Sequence, residues 1–94
     1  VIRSFKDKRA EAIFLGEFVK GVDSKTQQRV REKLKYLDAA ATLADLAVPP
    51  GNQLEMLKGN RKGQYSIRVN QQWRLCFRWN AGDVLEVEIV DYHW

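Results

Sequence analysis

A single histidine occurs in the chain, His93, and it directly follows Asp91 and Tyr92. Imidazole changes charge more readily near neutral pH than any other side chain, so Asp91-Tyr92-His93 is a natural place to look for proton transfer. Upstream, residues 58–82 hold Lys58, Arg61, Lys62, Arg68, Arg74 and Arg78 without one Asp or Glu. An acid–base group behind a run of cations points to chemistry on a phosphate backbone. Cleaving an RNA phosphodiester with side chains alone requires a base for the 2′-hydroxyl proton and an acid for the departing 5′-oxygen. Cationic donors must also stabilise the charge that develops at phosphorus. Asp91, Tyr92, His93, Lys58, Arg68 and Arg74 can furnish all three, and Tyr92 can alternatively stack on an unpaired base. The competing reading makes His93 an ordinary tail residue and the cations a solvated face.

The net charge of +4 is modest, but its distribution is uneven. After the basic stretch, residues 83–94 carry Asp83, Glu86, Glu88 and Asp91 and no Lys or Arg. A basic stripe within a mixed chain fits a polyanion-binding face. The 94 residues suffice for one domain, spanning 1–94, with a modest core. Cys76 is the sole cysteine, which excludes an intrachain disulfide. One His and one Cys cannot make a structural zinc site, and the basic stretch lacks the carboxylates that magnesium needs. No cofactor is therefore expected. Neither a long apolar run nor a signal-peptide pattern is present, so the expectation is a cytoplasmic protein without a membrane span.

Positioning these residues falls to a strand, two helices and a run of strands. Ile2-Arg3-Ser4-Phe5 reads as a short strand. Asp7 caps a helix over residues 8–15 that presents Ala10, Ile13 and Phe14 and stops at Gly16. Ser24 with Gln27 has the spacing of a capping box and opens a longer helix. Its apolar stripe is Val30, Leu34, Leu37 and Ala41, with Lys25, Arg29, Arg31 and Lys35 on a solvated side. Thr42 with Asp45 starts one further turn through Leu46, and Pro49-Pro50-Gly51 ends all helical structure. Residues 54–57 form a short run before a basic loop bracketed by Gly59-Asn60 and Gly63. Three alternating strands follow, with Tyr65, Ile67 and Val69, then Trp73, Leu75, Phe77 and Trp79, then Leu85, Val87 and Ile89 facing the core. Asn80-Ala81-Gly82-Asp83 turns between the last two. The fold class is α+β, with an N-terminal strand and two main helices packed on one face of an antiparallel sheet.

Alternation places Arg74, Cys76 and Arg78 on the face opposite Trp73, Leu75 and Phe77, and Arg68 opposite Ile67 and Val69. Pairing through Asn70-Gln71-Gln72 sets Arg68 close to Arg74. Burying unpaired arginines is costly, so this face is expected to stay open, concave and basic. Cross-strand pairing with Glu86 and Glu88 is the alternative fate of these cations.

The chain resembles the HigB family within the RelE/ParE-like bacterial toxins. The resemblance rests on Ile2-Arg3-Ser4-Phe5-Lys6, Pro49-Pro50-Gly51-Asn52-Gln53-Leu54-Glu55 and Leu57-Lys58-Gly59-Asn60-Arg61. It continues through Gly63-Gln64-Tyr65-Ser66-Ile67-Arg68-Val69, Trp73-Arg74-Leu75-Cys76-Phe77 and Ile89-Val90-Asp91-Tyr92-His93. It implies a compact RelE-like domain that acts as a ribosome-dependent endoribonuclease on messenger RNA in the decoding site. The implied partners are the ribosome, mRNA and a cognate helix-turn-helix antitoxin, with operator DNA met only through that antitoxin. By matching position, His93 serves as general acid or base, Arg74 and Lys58 stabilise phosphate, Tyr92 positions the nucleotide and Asp91 orients a neighbour. Arg61, Lys62, Arg68 and Arg78 supply further phosphate contacts. Glu55, where some members have a histidine, is either a second proton-transfer group or an exposed strand residue paired with a lysine. ParE-like relatives share the scaffold but act on DNA gyrase, so a non-catalytic module that inhibits by occupancy is the alternative from another class.

Overall fold

The computed structural model describes residues 1–91, so Tyr92 and His93 lie outside the described residues. Its frame is an antiparallel meander in the order β1-β2-β3-β4, comprising β1 (Glu55–Met56), β2 (Tyr65–Arg68), β3 (Trp73–Asn80) and β4 (Asp83–Asp91). The β3–β4 hairpin closes through Ala81 and Gly82, at φ +50° and +95°, between the paired Asn80 and Asp83. Two successive left-handed residues match the right-handed twist of the flanking strands, which is why a glycine stands here.

One irregularity shapes the sheet. Cys76 pairs with Glu88 but Arg78 pairs with Leu85, so β4 carries an extra residue between them. Glu86 sits in this bulge at φ +53°. The extra residue reverses side-chain parity along β4. Val84 and Val87 are consequently both fully buried, while Leu85, expected in the core, is only half-buried.

The bulge also corrects the expected N-terminal strand. Ile2 and Phe5 make isolated parallel bridges to Val84 and Val87, one on each side of the bulge. Between them Glu86 donates its amide to the Ser4 hydroxyl at 2.9 Å in place of a ladder bond.

Both helices, α1 (Lys8–Phe14) and α2 (Ser24–Ala39), begin at aspartates. Asp7 accepts the Arg9 amide at 2.8 Å and, through its other oxygen, the Ile89 amide of β4 at 3.2 Å. The α2 cap is Asp23, which accepts the Thr26 amide at 2.6 Å, rather than Ser24. Gln27 turns inward instead of closing a capping box. Its amide bonds Val19 and Val22 and fastens the α1–α2 connection. Val30, Leu34 and Leu37 are fully buried as expected, but α2 ends before exposed Ala41. There the Asp45 carboxylate captures the Ala41 and Thr42 amides, and with Thr42 it caps a short turn of tighter helix, Leu43–Ala47. Pro49-Pro50-Gly51 does not end helical structure, because further short turns occupy Pro50–Asn52 and Gly59–Arg61.

Against the helix-bearing face pack Ile67, Leu75, Phe77, Val87 and Ile89. Trp73 belongs to this core and half-buried Trp79 packs against it, so neither serves as an open stacking platform. No described helix is long and apolar enough to cross a membrane.

Two stability measurements follow. The Thr26 amide holds the Asp23 carboxyl below its ordinary 3.8. A depressed folded-state pKa means the unfolded chain binds more protons in acid, so this contribution exists above pH 3.8 and fades as pH falls through the lowered value. Asp23→Ala should lower the thermal midpoint at about pH 7, and the difference from the parent should shrink at about pH 2. Ser24→Ala should leave the midpoint unchanged. Separately, Ala81→Asn should raise unfolding free energy in urea by about 1 kcal/mol, because asparagine tolerates the left-handed conformation.

Candidate active site

Register brings the candidate residues into two rows across the sheet. One runs through Glu55, Ser66, Cys76 and Glu88, the other through Arg68, Arg74 and Val90. Arg68 and Arg74 are direct cross-strand partners, as alternation implied.

Arg74 is only 7% exposed. Its Nε donates to the Ser66 hydroxyl at 3.0 Å and its Nη2 to the Gln53 carbonyl at 2.6 Å. Gln53 adopts a left-handed conformation, φ 45° and ψ 56°, at the end of the Pro50–Asn52 turn. That turn is held by Asn52, whose fully buried amide donates to the Leu46 carbonyl at 3.1 Å and the Val48 carbonyl at 3.3 Å. The Lys33 ammonium donates to the Asn52 side-chain oxygen, and the Tyr36 hydroxyl bonds the carbonyls of Asp45 and Val48. The guanidinium is thus fixed through a loop that α2 secures.

The face is less open and less basic than alternation implied. Ser66 and Cys76 are fully buried and Arg74 nearly so. Glu88 accepts Arg61 Nη1 at 3.1 Å and lies 3.6 Å from Lys6 Nζ. Glu86 accepts Arg78 Nε at 2.6 Å. Glutamates of β4 therefore claim Arg78 across the strands and Arg61 from the Gly59–Arg61 turn. Arg78 also passes over the loop at Gly63, where an added Cβ would stand 2.7 Å from its Nη1. Burial raises the Cys76 thiol above its ordinary 9.0, which leaves it protonated and a poor nucleophile.

Lys58, Lys62 and Arg68 have no carboxylate partner among the described residues. Lys58 and Lys62 flank the Gly59–Arg61 turn and are exposed, and Arg68 Nε donates to the Asn70 carbonyl at 3.1 Å. Glu55 is exposed on the edge strand and forms no ion pair among the described residues. Asp91 pairs with Trp73, one position out of phase with the Arg74–Val90 pair, and accepts Gln72 Nε2 at 3.1 Å. The register thus sets Asp91 beside Trp73 rather than in the arginine row. Ser66, Gln53 and Asn52 escaped sequence reasoning. Alternation could have placed Ser66 beside Arg74, but nothing local signals the left-handed turn or the buried amide.

A family profile described as "RelE-like toxin of type II toxin-antitoxin system HigB" matches residues 3–93. The chain belongs to the HigB family. "Toxin HigB-1" of Vibrio cholerae serotype O1 is 44% identical over 82 residues, 86% of each protein. "Endoribonuclease HigB" of Proteus vulgaris is 32% identical over 93 residues, covering 99% of this chain and all of that one. In fold, the chain is similar to the toxin in the heterotetrameric YoeB–YefM toxin–antitoxin complex from Staphylococcus aureus. That match has a TM-score of 0.63 at 22% identity, over 100% of this chain and 97% of that one. The expected α+β RelE-like architecture and the HigB resemblance both hold.

Removing the Ser66 hydroxyl leaves a buried guanidinium N–H without that acceptor. Ser66→Ala should therefore cost about 1–3 kcal/mol in denaturant unfolding, more than a surface serine substitution.

Proposed function

We propose that this HigB-family toxin is an endoribonuclease that cuts messenger RNA in the ribosomal A site and so arrests translation. The observation that carries the reading is Arg74, a buried guanidinium whose hydrogen bonds among the described residues include those to Ser66 Oγ and Gln53 O. Those bonds fix its direction, and a guanidinium oriented before the reaction is suited to stabilise a developing phosphorane. The endoribonuclease name of the Proteus vulgaris relative supports the same activity.

In the proposed reaction a base removes the 2′-hydroxyl proton and the oxygen attacks the adjacent phosphorus. The bond to the 5′-oxygen breaks as an acid protonates the leaving group. His93 fills one proton-transfer role. Glu55 is the candidate for the other, since its row on the sheet adjoins the row of Arg74. Arg74 and Lys58 stabilise the phosphate, Tyr92 positions the base and Asp91 tunes its neighbours. Arg61, Lys62, Arg68 and Arg78 add to the cationic field, with Arg61 and Arg78 damped by Glu88 and Glu86. A cognate helix-turn-helix antitoxin restrains the toxin and alone touches operator DNA. The YefM complex of the Staphylococcus aureus relative supports an antitoxin partner. The site of action places the protein in the cytoplasm.

The test is cleavage of a defined message on programmed bacterial ribosomes. The unsubstituted chain should cut within the A site. His93→Ala and Arg74→Ala should each slow cutting by at least about 10²-fold, with the folded circular-dichroism spectrum retained. Unchanged cleavage by both variants would overturn the assigned site. A translational block without any cut would instead favour inhibition by occupancy.

A further inference from the structure

Beyond Arg68 the surface does not flatten. A cleft of about 480 Å³ opens between α2 and the β2–β3 turn, its lining including Arg29, Glu32, Lys33, Gly51, Arg68 and Asn70. Neither Arg29, Lys33 nor Arg68 forms an ion pair among the described residues, in contrast to Arg61, Arg78 and Lys6, which pair with glutamates of β4. Glu32 is the one carboxylate on the cleft wall. The Lys33 ammonium is partly desolvated, and that burial, aided by nearby Arg29, lowers its pKa against the opposing effect of Glu32. Crowded, dehydrated cations of this kind are stabilised when an anion enters.

We propose that this cleft binds a backbone phosphate of the RNA strand next to the scissile one, an inference that rests on the nuclease reading above. Arg68 supplies the continuity. It lines the cleft and is also the cross-strand partner of Arg74, and directly opposed residues stand only about 4.5–5.5 Å apart at Cα. A strand whose scissile phosphate lies at Arg74 thus meets Arg68 next and reaches Arg29 and Lys33 after it. The lining favours RNA over an acidic protein segment. Protein interfaces centre on apolar or aromatic anchors, and the one apolar side chain here, Val69, is already buried in the core.

Gly51 provides a clean probe. Its φ is outside the left-handed range, and a Cβ built there meets nothing within 4 Å. A side chain can therefore be added without backbone strain. The assay is fluorescence anisotropy with a labelled 2′-O-methyl RNA oligonucleotide, which lacks the attacking hydroxyl, across a series of salt concentrations. Gly51→Glu and Arg29→Glu should each weaken binding about 10-fold and reduce the log–log salt slope by about 0.7, the signature of one lost single-strand phosphate contact. Lys20→Gln, exposed and outside the cleft, should bind nearly as the parent does, and unchanged circular-dichroism spectra should establish that the acidic variants remain folded.

Unchanged affinity and slope in both acidic variants would overturn the cleft assignment. Weakened binding by Arg74→Ala in that same experiment would leave the nuclease reading standing. Absence of oligonucleotide binding by the parent chain would also overturn the cleft, while ribosomal cleavage judges the nuclease separately. Arg29-dependent binding by a parent chain that cuts no message would keep the cleft and remove the nuclease. Loss of antitoxin affinity alone, with RNA binding intact, would assign the cleft to an acidic protein segment and end the proposal.

Discussion

Keeping a guanidinium inside a small protein is the constraint on which the sheet's second face depends. Taking a charge out of water costs several kcal/mol after relaxation, on the order estimated for buried ions in proteins. The structure meets this cost at Arg74 with oriented oxygens, among them the Ser66 hydroxyl and the Gln53 carbonyl. A lysine could not satisfy both, because its compact ammonium lacks the planar fork that spans two separated acceptors. The acceptor at Gln53 exists only because the backbone there turns left-handed, and that turn persists only because its neighbours are tied down. Asn52 performs that tying from a fully buried position, and Lys33 and Tyr36 connect it to α2. The packing of Val30, Leu34 and Leu37 against the far face of the sheet therefore reaches Arg74 through a continuous chain of contacts.

The bulge at Glu86 is the other half of this arrangement. It lets Val84 and Val87 both enter the core although three positions separate them. The ladder is interrupted there, and the Ser4 hydroxyl takes the amide that would otherwise seek a partner. Extra twist at a bulge turns β4 relative to β3. The same feature places the Glu86 carboxylate on Arg78, away from the arginine row. Core packing and the disposition of charge on the opposite face are thus set by one inserted residue.

Much of this was legible in the sequence, for reasons that also explain what was not. The alternation in β3 is strict, so its inward Trp73, Leu75 and Phe77 and outward Arg74 could be read directly. The stripe of α2 was equally plain. Capping was misread at Ser24, because a spacing pattern cannot reveal that Gln27 finds better partners in the carbonyls of Val19 and Val22. Parity in β4 was misread beyond the bulge, since no residue type announces an inserted position and Glu86 is a poor advertisement for positive φ. Of the candidate site, Arg68 beside Arg74 was readable from the hairpin. The pairing of Asp91 with Trp73 was not, because it depends on a register fixed upstream. The supports of Arg74 come from a loop whose conformation is tertiary in origin, and such loops carry little local signal.

What remains is why the cations are divided as they are. Arg61, Arg78 and Lys6 face glutamates of β4, whereas Lys58, Lys62, Arg68, Arg29 and Lys33 lack carboxylate partners among the described residues. Stability does not demand this division. The Arg78–Glu86 pair is substantially exposed, and pairs of that kind contribute only about 0–1 kcal/mol. The division instead shapes the field, because each neutralised cation leaves the positive potential to those without a carboxylate beside them. Arg68 stands opposite Arg74 and lines the cleft with Arg29 and Lys33, so on the proposed reading these are the cations an RNA strand meets beyond the Arg74 row. Polyanion affinity depends on how many phosphates a protein neutralises together, so cations left free along one path contribute more than the same number dispersed.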